Sequence, residues 1–397
     1  MSINRRQILK WSALAPALPQ FLVNSAFALD EAPAYEGNIL VVVRLKGGND
    51  GLNAVVPIQN DLYFKGRPSI AIKKQDTLAL KGGDLGLNPA LADFQWLMDQ
   101  GLAGIVQNVG YANSSRSHTR GTEIFEVGTT ADQAPMQGWL GRYLDQVPGT
   151  TSLSGVEFGE ELGRTLASGT RRSRSITNPH LLLGMENAPV ADRPSRVSAT
   201  LDQLRMVQND LSDTSRQLLK ASKGTGSSFG YPDTTFGQSL RWTGDMIEKG
   251  GPTRLYYVTL GSFDTPYSFD THTDELAIHK VLYSEFGKGL RAFSEHLRKS
   301  GHLQRVQLLT FSDFGRQIFE NREGGTDHGD AGLMFLMGGK MRAGLHGDLP
   351  DIASANDGGL PAKVDFRQVY ADVLTNWLKV DSQKILGERV DNYSVIA

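Results

Sequence analysis

Ile39-Leu40-Val41-Val42-Val43-Arg44-Leu45, followed by Lys46-Gly47-Gly48-Asn49-Asp50-Gly51, is the stretch from which the fold can be read. Seven residues, apolar except for Arg44, suit a strand covered on both faces, because a strand with one wet face would alternate with polar residues. The Gly-Gly-Asn-Asp-Gly run then stops the strand in a turn. Outward from it, Ile105 to Val109, Leu255 to Leu260, Val306 to Phe311 and Leu333 to Met337 read as further strands. Between them lie helical patterns. Asn88 to Gln100 has Asn88 as its cap, Pro89 in its first turn, and Leu91, Phe94, Leu97 and Met98 on one face. His279 to Lys299 and Phe366 to Leu378 follow the same period. Alternating apolar strands and amphipathic helices predict an α/β fold: a doubly wound, mainly parallel sheet with helices on both faces. Residues 150 to 235 differ, being rich in Ser, Thr, Gly and Arg with one polar helix over Ser198 to Ser222. They read as an inserted cap in a single domain spanning 29–397.

The N-terminus reads as an export signal. Arg5-Arg6 precedes an apolar run from Trp11 to Val23, which Pro16 and Pro19 interrupt, and Ala26-Phe27-Ala28 offers a peptidase site. That order is a cleavable signal over residues 1 to 28, too short and too broken to span a bilayer. The arginine pair resembles the twin-arginine class, so the expected partners are the twin-arginine export machinery and a signal peptidase, and the expected location is the periplasm. The chain has no cysteine among 397 residues, so thiolate metal sites and cysteine nucleophiles are excluded. A net charge of −2, with no basic run, gives no electrostatic case for nucleic acid.

In doubly wound sheets, ligands bind beyond the carboxyl ends of the strands. Three strands there lead into aspartates: Asp50, Asp264 and Asp313. Converging carboxylates raise one another's pKa unless a cation holds them, although each could serve only as a helix cap. Histidines tip the balance toward a metal. His328 follows Asp327 in a glycine-rich loop, His272 and His279 lie downstream of Asp264, and His118 follows the strand at Ile105 to Val109. His180, His296 and His302 lack such company and read as surface or structural. The expected cofactor is a divalent ion: zinc, manganese, magnesium or calcium.

Five motifs carry a resemblance. They are Leu45 to Val56, Ser115-Arg116-Ser117-His118, Gly138-Trp139-Leu140-Gly141-Arg142-Tyr143, Ser312-Asp313-Phe314-Gly315-Arg316 and Gly325-Thr326-Asp327-His328-Gly329. With them the chain resembles a twin-arginine-exported bacterial family (domain of unknown function 1501), assigned to the alkaline phosphatase and sulfatase-like superfamily. The resemblance implies a metal-dependent hydrolase of phosphate or sulfate esters, acting on an anionic small molecule or glycan. It places the nucleophile at Ser114, Ser115 or Ser117 beside His118, with Arg116 or Arg316 binding the anion. It implies that Asp50 holds a metal near the nucleophile, that Asp264 holds a second with His272 or His279, and that Asp313, Asp327 and His328 complete the set. Two departures stand out. Phe314 occupies a position where the superfamily has a histidine. Pro266 replaces the histidine of a Phe-Asp-Thr-His motif that recurs as Phe269-Asp270-Thr271-His272. These favour an alternative reading, a catalytically retired binding or scaffold protein.

Overall fold

The computed structural model describes residues 34–159, 162–170, 172–177, 179, 212–262, 267–355 and 357–397. The signal segment, Asp264, Pro266, His180 and most of the expected polar helix lie outside the described residues; of that helix, 212–221 are seen and are helical.

Fourteen strands are formed by the described residues: β1 Ile39–Leu45, β2 Val55–Val56, β3 Leu78–Ala79, β4 Gly86–Leu87, β5 Ala103–Gly110, β6 Gly155–Phe158, β7 Ser173–Ser175, β8 Leu255–Leu260, β9 Val306–Ser312, β10 Arg316–Glu320, β11 Thr326–His328, β12 Gly332–Gly338, β13 Gly344–His346 and β14 Val364–Asp365. Nine make the central sheet, in the order β13-β5-β12-β9-β1-β8-β6-β7 with β14 beside β5. β1 lies at its heart, parallel to both β8 and β9, with Val43 opposite Val258 and Thr310. Only β12 runs against the rest, antiparallel to β5 and β9. The sheet is therefore mainly parallel.

β1 explains why both faces are covered. Ile39, Val41, Val43 and Leu45 enter one apolar cluster, and Leu40 and Val42 enter the other. Successive side chains of a strand point to opposite faces, so an unbroken apolar run requires helices on both. Helices Ala92–Asp99, Thr235–Lys249 and Glu275–Lys299 supply Phe94, Leu97, Phe236, Leu240, Phe286 and Leu290 to the first cluster. Helices His118–Val127, Trp139–Gln146 and Phe366–Asp372 supply Phe125, Leu140, Tyr143 and Tyr370 to the second. Each large apolar side chain taken fully out of water contributes on the order of 1.5–3 kcal/mol. Within the stretch expected to be a cap, β6 and β7 join the central sheet, β6 pairing parallel to β8. No helix of the described residues is long and apolar enough to cross a membrane.

Candidate metal centre

The carboxyl ends of β1, β8 and β9 and the start of one helix meet at a cluster of histidines and carboxylates. His118 opens the helix His118–Val127, behind the cap Ser117. Gly121 lets that helix settle on the Asp313 backbone, since a Cβ there would overlap the Asp313 carbonyl. Asp313 follows β9 and is fully buried. It accepts hydrogen bonds from Arg44 Nη2 (3.0 Å) and the Gly47 amide (3.2 Å). Asp270 and His272 lie in the loop after β8, and His328 ends β11, opposite Arg316 of β10.

The three histidines present the same edge to Asp270. His118 Nε2 is 3.3 Å from Asp270 Oδ2, while His272 Nε2 and His328 Nε2 are 3.1 and 3.2 Å from Oδ1. The last two nitrogens are 2.9 Å from each other. Every Nδ1 meets an oxygen instead: His118 meets Asp313 Oδ2 (2.9 Å), His272 meets Asp327 Oδ1 (2.9 Å), and His328 meets the Arg116 carbonyl (2.7 Å). A carbonyl only accepts, so His328 carries a proton on Nδ1 and leaves Nε2 to face Asp270. The carboxylate partners orient His118 and His272 alike. A metal-binding histidine is normally held this way, its second nitrogen donating to a carboxylate or carbonyl.

Electrostatics keep the carboxylates charged. Burial alone would raise the Asp270 pKa, but hydrogen bonds from His118 and His328 and the Arg316 charge hold it far below the usual range. Asp313 is likewise depressed, burial being outweighed by His118 and Arg44. Burial would lower His118, yet its bonds to Asp270 and Asp313 lift it to about 9. The His272 and His328 Nε2 atoms, 2.9 Å apart and both facing Asp270 Oδ1, repel each other when both present lone pairs. A proton on one ring, or a cation among all four groups, removes the repulsion. The donor set fits a divalent transition metal.

The other residues singled out from the sequence are placed as follows. Asp50 is buried against Arg67, whose Nη1 and Nη2 both reach it, and it caps Gly51–Ala54 through the Leu52 amide. Its charge is balanced there, apart from the histidine cluster. His279 is fully buried on helix Glu275–Lys299, and neither ring nitrogen has a hydrogen-bond partner among the described residues. Burial lowers its pKa to about 4. Arg116 is spoken for by Asp330 (3.1 and 2.8 Å) and Asp357 (3.1 Å), so its contribution to the centre is its carbonyl. Arg316 is buried, with Nη2 3.2 Å from Asp270 Oδ1, and its Nε and Nη1 have no hydrogen-bond partner among the described residues. Ser117 Oγ accepts from the Arg120 amide, Ser115 Oγ from the Ser117 amide, and Ser114 is half-buried beside them. Phe314 packs on both rings, its centroid 4.8 Å from His118 and 4.4 Å from His328.

Asp270 is the residue that sequence reasoning passed over as a ligand. Its signal in the sequence is the recurrence of the Phe-Asp-Thr-His motif at Phe269 to His272. His118, read as a catalytic neighbour of the nucleophile, stands among the candidate ligands. A second cluster, Asp245, Glu248 and His296, is satisfied internally: His296 meets Glu248 Oε2 (2.9 Å) and the Tyr231 hydroxyl (3.1 Å), and Asp245 accepts from Gly226 and Arg241. A cleft of about 820 Å³ is walled by Arg44, Glu126, Glu157, Tyr257 and Tyr267; Arg44, which pairs with Asp313, links it to the site, and none of the three histidines or Asp270 lines it.

No curated protein matches the chain. Solved structures do. An alkaline phosphatase superfamily protein from Vibrio parahaemolyticus is 12% identical with a TM-score of 0.36, covering 88% of this chain and 72% of that one. A Bacteroides thetaiotaomicron protein described with glycosaminoglycan metabolism is 9% identical at 0.43, covering 90% and 76%. The C-terminal periplasmic domain of EcEptC from Escherichia coli, in complex with Zn, is 10% identical at 0.35, covering 78% and 77%. Similarity this distant carries no argument about chemistry. The family is decided by sequence: residues 107–387 match the family described as "Protein of unknown function (DUF1501)", and the chain belongs to it.

Proposed function

We propose that this chain is an exported, metal-dependent hydrolase of phosphate or sulfate esters, working at the carboxyl edge of its sheet. The observation that carries the proposal is the convergence of three Nε2 atoms on Asp270, with each Nδ1 held by an oxygen. His118, His272, His328 and Asp270 would hold the ion. Three imidazoles and one carboxylate suit zinc or a neighbouring transition metal better than magnesium or calcium, which prefer oxygen donors. The bound ion would supply Lewis acidity toward a transferring anionic group. Asp313, Asp327 and the Arg116 carbonyl orient the rings, and Arg316 adds a fixed positive charge against Asp270.

The Ser115 to Ser117 turn is fastened to the centre through the Arg116 carbonyl, which accepts from His328 Nδ1. A hydroxyl there is the nucleophile this reading calls for. The test is a screen of chromogenic phosphate, phosphodiester and sulfate esters with zinc or manganese, repeated on Ser114→Ala, Ser115→Ala and Ser117→Ala. Turnover lost in one variant without a matching loss of stability supports the reading. Turnover that survives all three refutes the nucleophile. A metal-loaded protein inert to every ester would move the function to binding. Export is tested separately: with Arg5-Arg6 changed to Lys-Lys, fractionation should find the precursor retained in the cytoplasm.

A further inference from the structure

We infer that Glu275 is a positioning residue for the metal centre, fastening together the two chain segments that carry Asp270, His272 and His328; the inference rests on the metal reading above. Glu275 opens the helix Glu275–Lys299 and is fully buried. Its Oε2 accepts from Thr326 Oγ1 at 2.6 Å and from Thr271 Oγ1 at 3.3 Å. Thr271 sits between Asp270 and His272, and Thr326 precedes Asp327 and His328. One carboxylate oxygen thus touches a residue adjacent to ligands on each segment.

The other oxygen is fixed as firmly. Glu275 Oε1 accepts from Asn53 Nδ2 at 2.6 Å. Tyr63 donates to Asn53 Oδ1 at 2.7 Å, which sets the amide so that its nitrogen faces the carboxylate. Three partners therefore surround Glu275: Asn53 Nδ2, which only donates, and two threonine hydroxyls, which can donate to a carboxylate or accept from a protonated carboxyl, the form that burial and the nearby Asp50 charge favour by raising its pKa. The backbones agree with the clamp. The Thr326 amide donates to the Thr271 carbonyl (3.0 Å), and the Glu275 amide to the Gly324 carbonyl (3.2 Å). Arg67 Nη1, 3.9 Å from Oε1, supplies the nearest positive charge. Residues that orient ligands from behind are the ones whose loss weakens metal affinity while the ligands remain.

The purified protein is stripped with chelator, and its affinity for Zn²⁺ is measured by competition with an indicator. Melting temperature is recorded on the metal-free form. Thr326→Val and Glu275→Ala are each expected to weaken Zn²⁺ binding by about 10–100-fold, and Thr326→Ser, which keeps the hydroxyl, to restore the wild-type affinity. A purely structural role would lower the metal-free melting temperature and leave the affinity alone. Wild-type affinity in Thr326→Val overturns the inference even where Glu275→Ala fails to fold. Failure of the wild-type protein to bind any Zn²⁺ or Mn²⁺ is a different result: it removes the metal reading itself, and the inference with it.

Discussion

Asp270 is the meeting point of the site: His118, His272, His328 and Arg316 all reach it. Asp270→Asn keeps the shape and removes the charge, so Zn²⁺ affinity should fall by more than the roughly 10–100-fold that loss of an orienting partner costs. Asp50→Asn, by contrast, should leave metal affinity within a few-fold of wild type and lower stability, because the Arg67 charge loses its buried partner. Competition titration and thermal melts on both variants separate the two; a metal loss in Asp50→Asn would return that residue to the site. A second titratable pair lies in the cleft wall. Burial raises the Glu157 pKa to about 8, and the nearby Glu126 carboxyl adds to the rise. A folded-state pKa above the unfolded value of 4.5 makes a contribution fully present below about 4.5 and lost as pH rises through about 8. Across that window wild type should lose stability relative to Glu157→Gln by roughly 1.4 kcal/mol per pH unit at most. Parallel melting curves between pH 4.5 and 9 would show that Glu157 titrates normally. The Asp50–Arg67 pair was not legible in the sequence. Seventeen residues separate its members, and no periodicity marks a buried arginine as a partner.

At the scale of elements, what could be read was what burial imposes periodically. β1 and β8 fall on the expected residues, whereas Asn88, by accepting from the Ala90 amide, caps a 3-10 turn over Pro89–Leu91 that leads into the helix Ala92–Asp99. What could not be read was polar and buried. The helix expected from His279 starts at Glu275, because its first turn is held by hydrogen bonds to a carboxylate rather than by an apolar stripe. The helix expected over Phe366 to Leu378 changes to a π-helix at Val373–Trp377. The junction of the two ligand-bearing segments depends on Gly325. A Cβ there would overlap the Thr271 carbonyl and the His272 backbone, neither of which can swing aside as a side chain would. Gly325→Ala should therefore destabilise the fold by roughly 1–3 kcal/mol and weaken metal binding by displacing His272. Thermal melts and a metal titration check both halves. A variant with wild-type values in each would show that the segments part at no cost.

For the whole molecule, a central strand apolar on both faces was enough to predict the layers, but the site depends on distance in sequence collapsing to distance in space. His118, Asp270 and His328 belong to a helix start, a loop after β8 and a strand end, and only the winding of the sheet brings them within reach of one another. That arrangement determines where an ion would act on stability. Binding to the native state alone adds RT ln(1 + [L]/Kd), about 2.7 kcal/mol when free metal is 100 times Kd. The gain should not spread evenly. β1 is paired on both sides by β8 and β9 and buried among apolar side chains, so it opens only with the whole domain. The segments bearing His118, Asp270 to His272 and His328 meet mainly through hydrogen bonds at partly exposed groups, the kind of region that opens locally first. Chelation should thus lower the melting temperature by a few degrees and speed amide exchange in those three segments while β1 keeps its protection. His328→Ala should exchange at the chelated rate with or without metal. Uniform acceleration over the sheet would mean that the ion, if bound, sits elsewhere; no change in either measurement would mean that the four groups hold a proton instead.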